Sequence, residues 1–133
     1  MKDQYIYPAV FSFADDGISI EFPDLPGCYP CADTLEEAVK NAKEALGLHL
    51  YGMEEDGEKI PQPSDVRTLS QEPGTICMLV EVYMPPLRDK IRNRYVKKTL
   101  SIPYWLNAEA ERNGVNFSGV LQEALKSYLG IRQ

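Results

Sequence analysis

Tyr95 to Pro103 (Tyr-Val-Lys-Lys-Thr-Leu-Ser-Ile-Pro) reads as a single short strand that has no mate nearby. Val96, Leu100 and Ile102 fall on one side of a period-two ribbon, and Lys97, Thr99 and Ser101 on the other. Downstream, Tyr104 to Leu129 carries two helical patterns and no further strand. A lone strand does not persist in water. The spacing therefore predicts that two copies pair through this ribbon, which makes the chain a homodimer and presents the Lys, Thr and Ser side chains as a rigid polar surface.

The two helical patterns lead to the same expectation. The first spans 103 to 113, with Leu106 and Ala110 inward and Gly114 as its left-handed stop. Asn116 suits the cap of the second, Val115 and Val120 are spaced as its hydrophobic staple, and Val120, Leu121, Ala124, Leu125, Tyr128 and Leu129 form its inner face. This stripe is too small to stabilise about 40 residues alone.

Charge divides the chain more sharply than its net value of -6 suggests. Residues 1 to 87 hold 5 Lys+Arg against 16 Asp+Glu, and residues 88 to 133 hold 9 against 4. An acidic body attracts a basic partner, and a basic tail attracts phosphate. Three cysteines make no disulfide framework. Cys28 and Cys31 form a C-x-x-C, but Cys77 and His49 do not complete a zinc set, and the helix that would activate a redox thiol starts beyond Pro30. The expectation is no metal, no cofactor and two extended-chain cysteines. Met1-Lys2-Asp3-Gln4 opens no signal peptide and no apolar run reaches about 18 residues, so a cytoplasmic protein that binds no membrane is expected.

In the N-terminal part, Tyr5 to Phe13, Asp15-Asp16-Gly17 and Ile18 to Phe22 read as a hairpin, and Pro8 favours an edge for its part of the first strand. A short extended piece, Cys28 to Ala32, precedes the strongest helix. Thr34-Leu35-Glu36-Glu37 is a capping box, and Leu35, Ala38, Val39, Ala42, Ala45, Leu46, His49 and Leu50 recur at helical spacing. His49, the only histidine, has no nucleophile or metal motif to serve and reads as a packed or half-exposed helix residue. Residues 52 to 73 are acidic, then proline-rich, and predict mostly loop. Thr75 to Met84 is apolar nearly throughout and predicts a central strand. Pro85-Pro86 ends it, and 87 to 94 reads as a basic linker. The fold class is α+β: a ββ(β)αβ unit over 1–86 with one helix on a mixed sheet, a linker, and a ribbon with two helices over 95–133.

Val96 to Leu129 resembles a ribbon-helix-helix DNA-binding domain of the Arc/MetJ kind, whose paired strands enter the major groove. The resemblance implies Lys97, Thr99 and Ser101 as base readers, and Asn116, Phe117 and Ser118, with Arg94 from the basic linker, against the DNA backbone. Lys98 departs from it, since an apolar residue is usual there. Upstream, Phe22-Pro23-Asp24-Leu25-Pro26-Gly27-Cys28, Asp33 to Ala38, Asn41-Ala42, Ala45-Leu46, Asp56-Gly57 and Ile60-Pro61 with Pro63-Ser64 resemble the HicB antitoxin family; Ala32 stands where that family usually has Gly. The resemblance implies a partial, non-catalytic RNase H-like domain, a HicA-type toxin as partner, operator DNA as target and autorepression, with a higher assembly possible once toxin is bound. Candidate toxin contacts are Asp24, Cys28 and Tyr29 on the Phe22 to Ala32 segment, and Glu54, Glu55 and Asp56 on the acidic loop that runs to Glu58. Two readings compete. One is a free-standing ribbon-helix-helix repressor whose N-terminal domain senses a small molecule; the other is a two-metal nuclease using Asp15, Asp16, Glu21 and Asp24.

Overall fold

A computed structural model describes residues 2–69 and 72–131. The chain forms two compact units, the first ending at Tyr95 and the second starting at Val96.

Unit 1 begins with an antiparallel hairpin of β1 (Gln4–Ala14) and β2 (Gly17–Glu21). Its tight turn needs Gly17, whose φ of +145° is unfavourable for an L side chain and whose Cβ would meet the Ala32 carbonyl oxygen at 3.1 Å. β3 (Cys31–Ala32) adds to β2, and β4 (Thr75–Tyr83) pairs with β1 from Gln4 to Ser12. The order is β3-β2-β1-β4, and every pairing is antiparallel, where a mixed sheet was expected. β2 reaches only Val10 to Ala14 of β1. The half of β1 that holds Pro8 therefore has one neighbour, in keeping with the residue's missing donor.

Helix α1 (Leu35–Glu55) lies on one face of the sheet. Thr34 caps it by accepting from the Glu37 amide at 3.2 Å. Ala38, Ala42, Leu46 and Leu50 are fully buried against Tyr7, Phe11, Ile20 and Phe22, and these small or flexible side chains let the helix seat closely. Leu35 and Val39, read as part of the stripe, lie about half exposed. The expected loop starts later than predicted, because α1 runs on to Glu55, and it contains a 3-10 turn at Val66–Thr68. Ser70 and Gln71 of that loop, and the last two residues of the expected C-terminal domain, lie outside the described residues.

Two further expectations are overturned. β4 is an edge strand, and Ile76 and Leu79 on it are 51% and 60% exposed. The expected linker is mostly helix: α2 (Met84–Arg92) starts with Pro85 and Pro86 in its first turn, where amides have no helical partner to lose, and stops at Asn93 in a left-handed conformation. α2 packs on α1. The approach is close enough that a Cβ on Gly47 of α1 would meet the Leu87 side chain at 2.7 Å.

Unit 2 contains α3 (Tyr104–Arg112) and α4 (Phe117–Leu129). Gly114, with φ +64°, ends the first, and the Asn116 side chain caps the second by accepting from the Gly119 amide at 3.1 Å. Tyr95 to Pro103 has no strand pairing in the single chain.

Candidate functional site

Acidic side chains gather on unit 1 at the C-terminal end of α1. Asp24, Asp56 and Glu58 line a groove of about 620 Å3 together with Leu48, His49, Gly52 and Met53. Its wall is fixed by Asp24, whose carboxylate accepts from the Ser64 amide at 2.9 Å and from the Ser64 hydroxyl, so the returning loop is tied to the Phe22–Gly27 turn. Leu48 is 55% exposed at the rim. The combination of carboxylates around an exposed leucine suits the long side chain of Lys or Arg, with its stem on the leucine and its head on the acids.

The other candidates on this unit are placed differently. The Glu54 side chain is buried: its carboxylate accepts from Arg88 Nε at 3.0 Å and Nη2 at 2.7 Å, and the Tyr5 hydroxyl donates to it at 3.3 Å. Arg88 also reaches Asp3 at 3.0 Å and the Lys2 carbonyl, so this cluster fastens α2 and residues 2–3 to α1. Glu55 is exposed but paired with Arg92 at 2.6 Å, and that hydrogen bond holds its carboxyl below the usual range. Arg92 lies over the Tyr51 ring at 5.7 Å. Cys28 is buried and its thiol is pushed up to about 11 by desolvation, which removes it both as a surface contact and as a reactive thiolate. Tyr29 is 63% exposed and lines a separate hollow with Ser12, Ser19 and Cys31. Of the six candidates, the groove unites Asp24 and Asp56. Sequence reasoning assigned His49 no part in a site and passed over Leu48; the signal for Leu48 was an apolar residue standing off the buried stripe.

Asp15 and Asp16 form the β1–β2 turn, Glu21 is exposed on β2, and Asp24 is engaged by Ser64. Among the described residues no three His, Cys, Asp or Glu side chains come together as a metal-holding group.

In unit 2, Lys97, Thr99 and Ser101 are exposed, and so are Val96 (84%), Leu100 (63%) and Ile102 (46%). Lys98 is exposed as well. Phe117 and Ser118 open α4 behind its Asn116 cap. Neither helix buries a residue; Leu106, Val120, Leu125 and Leu129 all remain at least 42% exposed. Arg94 belongs to unit 1, where its amide donates to the Asp89 carbonyl at 2.9 Å. With the boundary after Tyr95, unit 1 carries 9 Lys+Arg against 17 Asp+Glu, and unit 2 carries 5 against 3. The basic tail is thus weaker than a boundary at 87 implied, because Arg88 and Arg92 neutralise acids of their own unit.

The fold is that of small α+β antitoxins. The crystal structure of the Burkholderia pseudomallei antitoxin HicB is similar over 91% of this chain and 96% of its own, at 25% identity and a TM-score of 0.55. A HicA3 and HicB3 toxin-antitoxin complex contains a chain similar over 59% of this one and 98% of its own, at 30% identity and a TM-score of 0.51. Antitoxin HicB 2 of Photorhabdus laumondii is 38% identical over 75% of this chain and 73% of its own length. A 14.9 kDa protein from the rep-hol intergenic region of Haemophilus phage HP1 is 40% identical over 58% of each chain, so this chain spans somewhat over half of that relative. Residues 7–125 match the model of the HicB-like antitoxins of bacterial toxin-antitoxin systems. The chain belongs to the HicB-like antitoxin family. Among the described residues no helix is long and apolar enough to cross a membrane.

Proposed function

We propose that this protein is a cytoplasmic, non-enzymatic antitoxin with two activities. Unit 1 binds and neutralises a small basic mRNA-cleaving toxin of the HicA type, and unit 2 dimerises as a ribbon-helix-helix module that binds operator DNA and represses the protein's own operon. The observation that carries the second activity is that unit 2 leaves Val96, Leu100, Ile102, Val120, Leu125 and Leu129 exposed, on a chain that also exposes Lys97, Thr99 and Ser101 in the segment 96–102. Pairing that segment with its counterpart in a second chain turns the apolar side chains inward together and leaves the polar ones to meet base edges. The Asn116-capped start of α4 supplies free amides for a phosphate.

For the first activity, the groove of Asp24, Asp56 and Glu58 around Leu48 offers a basic toxin an anionic anchor point, and the acidic balance of unit 1 speeds the encounter. The likeness to a chain of a HicA3 and HicB3 toxin-antitoxin complex supports the choice of partner. Reversing charge at two exposed groove acids, Asp56→Lys with Glu58→Lys in the full chain, should abolish relief of toxin-induced growth arrest while leaving operator binding intact. Full relief by this variant would remove the groove from the toxin interface. In gel-shift assays Lys97→Ala should weaken operator binding across sequences, and Thr99→Ala should relax base preference more than non-specific affinity. Wild-type behaviour of both would sink the reader assignment.

A further inference from the structure

We propose that the open half of β1 is a strand-addition site, where an extended segment of the basic toxin lies along Gln4 to Pro8 and pairs with its outward backbone groups. This deepens the toxin-binding reading given above and rests on it.

Hydrogen-bond phase decides which backbone groups are on offer. The Met84 amide donates to the Asp3 carbonyl at 2.6 Å, and the Phe13 amide to the Gly74 carbonyl at 2.9 Å, so the odd-numbered residues of β1 face β4. The even-numbered ones face the other way, and from Val10 onwards they meet β2. Before Val10 there is no β2 to meet. The amides and carbonyls of Gln4 and Ile6, and the Pro8 carbonyl, therefore have no hydrogen-bond partner among the described residues.

A row of unpaired groups on a sheet edge is normally paired or covered. Here the chain passes close by without closing the edge. Glu58, Ile60, Pro61 and Pro63, on the loop after α1, line a groove of about 570 Å3 together with Gln4 and Ile6. The Tyr7 hydroxyl ties that loop down by donating to the Pro61 carbonyl. Pro61 and Pro63 have no amide, so neither can serve the Gln4 and Ile6 carbonyls. Among the described residues no backbone hydrogen bond joins this loop to β1. What remains is a slot with a strand edge for one wall. Along Gln4 to Pro8 it is about 16 Å long, room for five extended residues.

Charge and position select the occupant. Glu58 lines both this slot and the groove of Asp24, Asp56 and Leu48, so a chain seated in one leads into the other. Glu58 is exposed and has no ion-pair partner among the described residues, whereas Glu54, also in the lining, is neutralised by Arg88. Lys2 is the one cation in the lining. Unit 1 as a whole carries 9 Lys+Arg against 17 Asp+Glu, so a small basic protein suits the slot, and a second copy of unit 1 brings the same excess of acid to it. In the seated segment an apolar side chain meets half-exposed Ile6, and a Lys or Arg reaches Glu58. Main-chain pairing gives such a site its affinity, and the alternate side chains give it selectivity.

A backbone substitution separates strand addition from ordinary side-chain contact. Ile6→Pro removes an outward amide and no β1–β4 hydrogen bond, as Pro8 does in the same strand, while Ile6→Ala keeps the amide and loses more of the side chain. Titration calorimetry of a catalytically inactive HicA-type toxin into each full-length chain should show Ile6→Pro binding at least about tenfold more weakly than Ile6→Ala. Equal affinities overturn the strand addition and leave the toxin-binding reading standing; no binding by the wild type overturns both. Hydrogen exchange on the wild type decides the matter if Ile6→Pro fails to fold. The Gln4 and Ile6 amides should exchange at open-edge rates in the free chain and at least about tenfold more slowly with toxin bound. Unchanged exchange in the complex overturns the proposal. Protection already present in the free chain overturns it as well, and gives the edge to a second copy.

Discussion

Replacing one member of the Glu54–Arg88 pair should destabilise unit 1 far more than replacing both. The Glu54 side chain is 2% exposed and Arg88 is 9% exposed, and the guanidinium binds the carboxylate through two nitrogens. Glu54→Leu strands a desolvated guanidinium, and breaking a buried pair in this way costs about 3–5 kcal/mol. The lower figure applies, since Asp3, 68% exposed, still pairs with Arg88 from the solvent side. For a unit of this size about 3 kcal/mol corresponds to a fall of about 12–24 °C in Tm. Arg88→Met should cost a similar amount, because Glu54 then keeps only the Tyr5 hydroxyl at 3.3 Å. The double variant puts apolar volume in place of both charges and should lie within about 1 kcal/mol of wild type. Calorimetry of the unit 1 transition in all four proteins measures the cycle. Additive losses, with the double variant the least stable, would refute the view that desolvation of the unpaired partner dominates.

Other parts of unit 1 make further expectations. Gly47→Val should cost about 2 kcal/mol by urea denaturation, because a Cβ there meets the Leu87 side chain at 2.7 Å and Val82 at 3.2 Å, and overpacking on this scale outweighs the gain in helix propensity. Tyr7 is pushed up to about 12 by burial first and by Tyr5 and Asp24 after it, and its hydroxyl donates to the Pro61 carbonyl. The folded state holds this proton more tightly than the unfolded chain, so its contribution is full below pH 10 and is lost as pH rises towards 12. Tyr7→Phe should therefore flatten the alkaline limb of a stability-pH curve above pH 10. A thiol reagent at pH 7 should label exposed Cys31 well before Cys28, whose buried thiol is held up to about 11; equal rates would contradict the burial of Cys28.

Where one periodicity or one cap decides an element, the sequence was a sufficient guide. The Thr34 capping box, the alanine stripe of α1, the Asp15-Asp16 turn, the Gly114 stop and the Asn116 cap all stand where local chemistry puts them. β4 was misplaced because an apolar run looks the same in a central strand and in an edge whose covering lies elsewhere; Ile76 and Leu79 carry no mark of which applies. Pro85-Pro86 looked like a terminator, yet proline is also at home in the first turn of a helix. That single ambiguity turned α2 into a linker and hid Arg88, whose partners Asp3 and Glu54 are distant in sequence. The candidate site was legible as acids on a loop. Which acids face outward was not, because Glu54 and Asp56 differ only in the side of the helix end they leave from.

Unit 2 buries none of its described residues in a single chain, and this bears on how the activity proposed for it would respond to dose. Unit 1 has its own core, so the fraction of it that is folded is independent of how much protein is present. If unit 2 gains its core only from a second chain, the concentration of its folded form varies with the square of the monomer concentration. On the function proposed above, halving the protein level would then leave each toxin-binding surface intact but cut the supply of DNA-competent dimers up to fourfold when dimers are the minority. Toxin neutralisation would fade in proportion to the antitoxin, and repression would fade faster, so the operon would be released before the toxin is.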